Sequence, residues 1–242
     1  METFAPIPRS PTAGLVLDVV ADFTCPWSFL GTRRIVRAMG AVQGLPQPPL
    51  LRWHGFRLPL AGSAAWQDHL AQRLPPGITP EFAERSLEEA GRALGIRFDF
   101  AAIRAVPDTL HAHRLVLAAA PAGRHVEVAD ALFRAYFEQG RDIGSEQELL
   151  AIARQCALPD QVIDDYRRGF AADGASLESG GVAIVLAEEQ RLRALGVQNV
   201  PNLLINGNVL VPGPAEEAIY VQALDQVLFP QPAEARPPRW LH

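Results

Sequence analysis

The chain has 242 residues, a formal net charge of −5 and 48% hydrophobic residues, values ordinary for a globular protein with a sizeable core. Its 22 basic residues are all arginines scattered among acids, which argues against a nucleic-acid-binding stripe. Its apolar runs are too short to span a membrane and its N-terminus lacks a basic signal region, so we expect a cytoplasmic protein whose two cysteines are free thiols.

The first predicted elements are a strand, a turn and a helix. Gly14 to Asp22 is apolar and β-branched, as in a buried strand. The sequence CPWS, residues 25–28, follows it, and Phe29 to Met39 then has a helical pattern. Leu50 to Leu58 alternates well enough to predict a second strand, in which His54 is expected to be a satisfied core residue.

The middle of the chain is predicted to be helical. Start signals come from Pro80 after Thr79, from Asp108 as a cap, and from Pro159. Ser145 and Glu148 have the spacing of a capping box. The last predicted helix of this block is long, from residue 177 to residue 195.

The C-terminal part returns to strands. NLLING and VLVP are short apolar runs with Asn206-Gly207 near the turn between them, which predicts a β-hairpin before a last helix at residues 215–228. The element order predicts an α/β fold in which one sheet is built from residues 12–62 and 179–230. A helical insertion of residues 63–178 separates these parts, and residues 231–242 are expected to form an irregular tail.

Cys25 is the candidate catalytic residue, because it lies where a strand gives way to a helix. Free N–H groups at Trp27 and Ser28 and the helix dipole would favour its thiolate, and Pro26 suits the first helical turn. We therefore expect a thiol exposed at the base of a cleft, with a depressed pKa. Ser28 stands where a second cysteine would complete a redox pair, and its hydroxyl can donate a hydrogen bond to the sulfur. The alternative is a buried structural cysteine.

DFTCPWSFLGTRRI resembles the active-site segment of DsbA-like thioredoxin-fold proteins of the FrnE-like subgroup, which usually carry CPWC. It is also similar to 2-hydroxychromene-2-carboxylate isomerases and kappa-class glutathione transferases, which carry a serine at the position of Cys25. RWHGFRL, GIRFDF with VPDTLHAHRL, and LGVQNVPNLLING extend the resemblance over most of the chain. It implies a thioredoxin-like fold, a central mixed sheet flanked by helices, with a large all-helical insertion.

The resemblance also implies roles for residues far from Cys25. Pro201 matches the cis-proline of thioredoxin folds, which would leave the backbone N–H and C=O of Val200 free to pair with an extended peptide or with glutathione. His113 matches a helical motif near the active site, where it would line the pocket or make structural hydrogen bonds. The loop that holds glutathione in relatives matches residues 213–215, Gly-Pro-Ala, which supply neither an acid nor an amide.

Three hypotheses follow for the function. In the first, the chain is a thiol–disulfide oxidoreductase that uses Cys25 alone. In the second, it is a glutathione-dependent isomerase or transferase, in which Cys25 and Ser28 position the glutathione thiolate. In the third, it is a binding module without catalysis. The expected partners are a small thiol or disulfide, or an extended peptide. The sequence is also compatible with a homodimer.

Two further groups of residues are not expected to take part. His111 and His113 are two residues apart on a helix and therefore point in different directions, so no metal site is expected. Cys156 follows an apolar helical stripe inside the insertion. We expect it to be a core residue rather than a second thiol for Cys25.

Overall fold

The structure, a computed structural model, describes residues 14–42, 48–60, 65–170 and 181–229. Within these ranges four strands form one mixed sheet of order β2-β1-β3-β4: β1 (Val16–Ala21), β2 (Leu50–Gly55), β3 (Asn202–Ile205) and β4 (Val209–Pro212). β1 pairs in parallel with β2 and antiparallel with β3, and β3 and β4 form the hairpin. The expectation of one sheet built from both ends of the chain is confirmed.

The described residues also form nine α-helices. These are α1 (Pro26–Ala41), α2 (Trp66–Ala71), α3 (Pro80–Ala93), α4 (Leu110–Ala119), α5 (His125–Phe137), α6 (Glu146–Gln155), α7 (Asp160–Arg168), α8 (Val182–Ala194) and α9 (Glu217–Leu228). Two short 3₁₀ turns, Phe100–Ala102 and Ala120–Ala122, lie between them. Helices α2 to α7 follow one another without a strand, which agrees with the predicted helical insertion. None of the helices within the described ranges is long and apolar enough to cross a bilayer.

The sheet is covered on both faces. Successive residues of a strand point to opposite faces, and Leu17 and Val19 of β1 belong to one apolar cluster with Ile35 of α1 and Leu224 of α9. Val20 belongs to a second cluster with residues of α8 and of the segment after β2. α1 and α9 therefore lie on one face of the sheet, and α8 lies on the other.

The insertion shares its core with the start of α1. Phe29 of α1 stacks on Phe133 of α5 with ring centroids 5.0 Å apart, and Phe23 lies 4.8 Å from the same ring. Cys156 belongs to this core and is 2% exposed, which confirms its predicted place. The turn that carries Cys25 is therefore fixed from the insertion side by aromatic packing.

Several local predictions differ from the structure. The capping box is wrong: the Ser145 side chain makes no cap hydrogen bond, and Glu148 accepts a hydrogen bond from Arg141 instead. The N-cap of α4 is Thr109, although Asp108 does accept a hydrogen bond from the Leu110 N–H at 2.9 Å. The predicted long helix is described only from Val182, and residues 177–180 and the predicted tail lie outside the described residues.

Candidate functional site

Cys25 is the N-cap residue of α1, four residues after the end of β1. Its backbone is extended, with φ −100° and ψ 111°, and Pro26 takes the first helical position. The turn is closed by two hydrogen bonds, from Cys25 N to Asp22 O at 3.2 Å and from Ser28 N to Cys25 O at 3.0 Å. These contacts place the sulfur at the N-terminus of a 16-residue helix.

The sulfur lies among the predicted hydrogen-bond donors. The Ser28 hydroxyl and the backbone N–H groups of Ser28 and Trp27 act to lower the pKa of Cys25, although the Cys25 side chain makes no cap hydrogen bond with the first turn of α1. Ser28 is fully buried, and the Asp22 N–H donates to its oxygen at 3.4 Å. Because that oxygen accepts from Asp22, its hydroxyl hydrogen remains available for the sulfur.

The prediction of an exposed thiol with a depressed pKa is wrong. Cys25 is only 2% exposed, and burial raises its pKa to about 11. The nearby Asp22 carboxylate, a negative charge, acts in the same direction. The donors of the first turn lower the pKa, but removing the thiolate from water outweighs them. The cysteine is therefore a neutral thiol at neutral pH in this structure.

Val200 and Pro201 lie opposite Cys25, as the resemblance implied. The peptide bond between them is cis, and the Cys25 thiol donates a hydrogen bond to the Val200 carbonyl oxygen at 3.6 Å. That carbonyl is therefore occupied rather than free, whereas the Val200 N–H has no partner among the described residues. Gly31 of α1 allows Pro201 to approach, because a Cβ added there would lie 2.9 Å from Pro201 Cγ.

Asp22, which sequence reasoning did not select, is a buried carboxylate beside the cysteine turn. It is 1% exposed and accepts hydrogen bonds from the Thr24 hydroxyl at 2.8 Å, the Thr109 hydroxyl at 2.7 Å and the Leu58 N–H at 2.8 Å. Burial raises its pKa, but His113 and the Leu58 and Thr109 donors outweigh burial and lower it. In the sequence, the feature that could have identified Asp22 was an acidic residue at the end of an apolar predicted strand.

His113 does not line an open pocket. It is 1% exposed, its Nδ1 accepts a hydrogen bond from Trp53 Nε1 at 3.2 Å, and its Nε2 lies 3.4 Å from Asp22 Oδ1. Its ring also packs against Phe23, with centroids 4.8 Å apart. The structural alternative therefore describes His113 better than the substrate-binding one: it supports Asp22 from inside the core. Of the other proposed binding residues, Pro26 is buried and Trp27 is half-buried.

The loop after the hairpin is fixed by its backbone. Arg34 of α1 donates to the carbonyl oxygens of Pro214 at 3.2 Å and Ala215 at 3.1 Å, and it also pairs with Glu216 at 2.8 Å. On this side a groove of about 470 Å³ runs between α1, α3 and the start of α9, and Cys25 does not line it. Because Cys25 is only 2% exposed, the described residues leave no opening to its sulfur.

An ionic cluster on the opposite face of the sheet holds α8. His54 Nε2 lies 2.8 Å from Asp18 on β1, and its Nδ1 lies 2.6 Å from Glu188 on α8. Arg52 binds the same Asp18 through two hydrogen bonds of 2.6 and 2.9 Å. The expectation that His54 is satisfied is confirmed, but its partners are two carboxylates. Since α8 leads directly to the Val200 loop, this cluster helps to position the residue opposite Cys25.

Solved structures with a similar fold cover most of the chain. A probable DsbA oxidoreductase from Streptomyces coelicolor is 21% identical, with a TM-score of 0.71 over 90% of this chain and 92% of that chain. The cytosolic disulfide reductase DsbM from Pseudomonas aeruginosa is 20% identical, with a TM-score of 0.58 over 88% and 96% of the two chains. A 2-hydroxychromene-2-carboxylate isomerase is 11% identical, with a TM-score of 0.60 over 88% and 96%. A search of curated proteins found no match.

These structural similarities establish the fold. They do not distinguish an oxidoreductase from an isomerase, because the similar structures include both. The family comparison is more direct. The DSBA-like thioredoxin domain matches residues 16–225, a range that runs from β1 into α9 and contains both Cys25 and Pro201. The chain therefore belongs to the DSBA-like thioredoxin domain family.

Proposed function

We propose that the chain is a thiol–disulfide oxidoreductase that works through the single thiol of Cys25. The observation that carries this proposal is the position of the sulfur, between the donors of the first turn of α1 and the Val200 carbonyl oxygen at 3.6 Å. A sulfur in such a position can be stabilised as a thiolate when a substrate arrives and can meet a disulfide held along Val200.

The reaction needs two exchange steps. In the first, the Cys25 thiolate attacks one sulfur of the substrate disulfide; a new S–S bond forms, the old one breaks, and the departing sulfur takes up the proton that Cys25 lost. Ser28 cannot resolve this mixed disulfide, and Cys156 is buried in the helical core. A second, external thiol therefore attacks the substrate-derived sulfur of the mixed disulfide; a new disulfide forms between these two sulfurs, the bond to Cys25 breaks, and Cys25 leaves as the thiolate.

Glutathione is the candidate external thiol, and we place the activity in the reducing cytoplasm, where such a thiol is available. The extended backbone of glutathione, or of a peptide, would pair with the free N–H of Val200. It would also pair with the Val200 carbonyl, which the thiol releases as it ionises. A substrate must displace whatever covers Cys25, so the resting thiol is protected from non-specific oxidation.

The direct test is incubation with oxidised glutathione followed by intact mass measurement. We expect the mass to rise by one glutathionyl group, with the adduct mapped to Cys25. Cys156→Ala, the matched control, should give the same adduct, and Cys25→Ser should give none. Addition of reduced glutathione should remove the adduct. If wild-type protein at high oxidised glutathione and mildly alkaline pH stays unmodified, the exchange mechanism is wrong.

One observation favours the isomerase as a second candidate. A neutral Cys25 thiol beside the Ser28 hydroxyl offers two hydrogen-bond donors, which could hold the thiolate of a bound glutathione without any redox step. The loop at Pro214 and Ala215 is unfavourable for this role because it has no side chain to hold the other end of glutathione. Isomerisation of 2-hydroxychromene-2-carboxylate with reduced glutathione tests it, and activity that survives in Cys25→Ser would support it over exchange.

A further inference from the structure

Val200, whose carbonyl oxygen accepts from the Cys25 thiol, is held over the sulfur by a small apolar cluster. Val20, Phe56 and Leu192 form the buried part of this cluster, and Leu58, Val197 and Val200 pack against it. Some of these residues belong to the segment after β2, and others belong to the end of α8 and its following loop. The position of Val200 over the sulfur therefore depends on how firmly the end of α8 is held against the segment after β2.

Arg57, in the segment after β2, connects three parts of the chain. Its Nε donates to Glu189 of α8 at 2.8 Å, and its Nη1 donates to Asp108, which precedes α4 of the insertion, at 3.1 Å. Arg193, one turn after Glu189, donates to the Arg57 carbonyl oxygen at 2.7 Å, and its guanidinium lies 4.3 Å from the centroid of the Phe56 ring. The end of α8 is thereby fastened to the segment after β2 by two arginines.

The cysteine turn is attached to that segment and to the insertion, rather than to α8. The Leu58 N–H donates to one oxygen of the Asp22 carboxylate at 2.8 Å, and the Thr109 hydroxyl donates to the other oxygen at 2.7 Å. Cys25 therefore stays with the segment after β2, whereas Val200 moves with the end of α8. A shift of that helix end would separate Val200 from the sulfur and leave the cysteine turn in place.

The charges at this contact keep it closed. Glu189 is buried and accepts from both arginines, from Arg57 Nε at 2.8 Å and from Arg193 Nη2 at 2.9 Å. Burial lowers the pKa of Arg57, but Glu189 and Asp108 outweigh burial and raise it, so the guanidinium remains charged. Hydrogen bonds between charged groups are stronger than neutral ones, and breaking them would leave the Glu189 carboxylate buried without a partner.

We propose that Arg57, Glu189 and Arg193 form an ionic latch that keeps Val200 over Cys25, and that opening of this latch exposes the thiol. The latch rests on the proposed thiol–disulfide exchange for its purpose, and it deepens that function by naming what controls access to the thiol. A disulfide substrate that pairs with the backbone of Val200 binds only the open form. Such a substrate therefore shifts the equilibrium toward the open form as it binds.

A separate contact keeps α8 on the sheet when the latch opens. Glu188, the residue before Glu189, binds His54 Nδ1 on β2 at 2.6 Å. Val185, one turn earlier in α8, is buried. The motion that we expect is therefore limited to the C-terminal end of α8 and the loop that carries Val200.

Alkylation by iodoacetamide tests the latch without any exchange chemistry. Cys25 and Cys156 are both 2% exposed, and burial raises the pKa of each to about 11, so the two thiols differ mainly in their place in the fold. Opening of the latch exposes Cys25 alone, whereas global unfolding exposes both thiols. The ratio of the two alkylation rates, measured in one protein sample by peptide mass spectrometry, therefore reports the latch even in a variant of lower stability.

In the variant that combines Arg57→Met with Arg193→Met, the ratio of the Cys25 rate to the Cys156 rate should rise at least tenfold, or about 1.4 kcal/mol in the free energy of opening. The matched control combines Arg134→Met with Arg167→Met, which removes two arginines whose ion pairs lie within single helices, and it should keep the wild-type ratio. Should the latch variant fail to fold, Glu189→Gln tests the same contact with both arginines in place. An unchanged ratio in the latch variant, or an equal rise in the control, overturns the proposal.

Incubation with oxidised glutathione separates the latch from the exchange function. If the alkylation ratio rises as expected but oxidised glutathione modifies neither the wild type nor the latch variant, the exchange function is wrong and the latch is supported. If oxidised glutathione modifies the wild type while the alkylation ratio stays unchanged in the latch variant, the latch is wrong and exchange is supported.

Discussion

Replacing His54 with glutamine removes the imidazole that connects the sheet to α8. The His54 side chain is 17% exposed and bridges Asp18 and Glu188, whose side chains are 9% and 27% exposed. Hydrogen bonds that involve charged groups contribute about 1.5–3 kcal/mol each, and partial exposure reduces this value. Arg52 stays on Asp18 and Arg191 stays on Glu188, so both carboxylates keep a partner. We expect a loss of about 2 kcal/mol of unfolding free energy, or about 4–8 °C in Tm.

The pH dependence of this contribution has a definite sign. Burial lowers the pKa of His54, but its hydrogen bonds to Asp18 and Glu188 raise it above the ordinary 6.5. The stabilisation is therefore fully present below about pH 6.5 and is lost as pH rises through the raised folded value. The pKa of Glu188 is lowered, first by the hydrogen bond from His54, and that of Asp18 is lowered against burial. Their contributions are lost as pH falls below about 4.5.

Urea unfolding followed by circular dichroism at about pH 6 and about pH 8.5 measures this difference. The wild type should lose stability between these two values, and His54→Gln should lose clearly less. The control is His125→Gln, which removes a half-buried histidine that binds the Leu51 carbonyl oxygen at 2.8 Å. If His54→Gln keeps the wild-type pH slope, the bridge does not hold α8 and the reasoning is refuted.

Four further predictions concern the thiols and the turn around them. In Cys156→Ala, alkylation of Cys25 by iodoacetamide should still accelerate above about pH 9, given its pKa of about 11, and a plateau near neutral pH would contradict this. The same variant should unfold with about 1 kcal/mol less free energy, and recovery of a Cys25–Cys156 disulfide from native protein would overturn the core assignment. Ser28→Cys should reduce insulin without added glutathione while the wild type stays near background; a variant that forms its disulfide without turnover favours the isomerase. Gly31→Ala, whose Cβ would lie 2.9 Å from Pro201 Cγ, should slow mixed-disulfide formation, and an unchanged rate would mean that the proline shifts freely.

Elements with strong local signals could be predicted from the sequence. Asn206-Gly207 lies in the turn between β3 and β4, with Asn206 at φ 50° and Gly207 at φ 69°, conformations that these two residue types tolerate best. Thr79 caps α3 by accepting from the Phe82 N–H, as its position before Pro80 indicated. Both features depend on residues within a few positions of each other, so the sequence contains all the information they need.

The state of Cys25 could not be predicted in the same way, because it depends on residues far along the chain. The helix N-terminus was visible in the sequence, but the Val200 loop that meets the sulfur is 175 positions away. The Asp22 carboxylate accepts hydrogen bonds from Leu58 and Thr109, which lie 36 and 87 positions later in the chain. The sequence around Asp22 therefore did not reveal its hydrogen-bond partners. The capping box failed for a similar reason, since Arg141 binds Glu148 in place of the helix N-terminus.

The central position of β1 sets the order in which the site can be completed during translation. One edge of β1 pairs with β2 early, but the other edge waits for β3, and the Val16 N–H binds Asn206, which is made 190 residues later. Until then the ribosome-bound chain has a thiol at a helix start with no Val200 above it. Covering of Cys25 is thus among the last events of folding, and pulse labelling of that thiol would report when the newly made sheet closes.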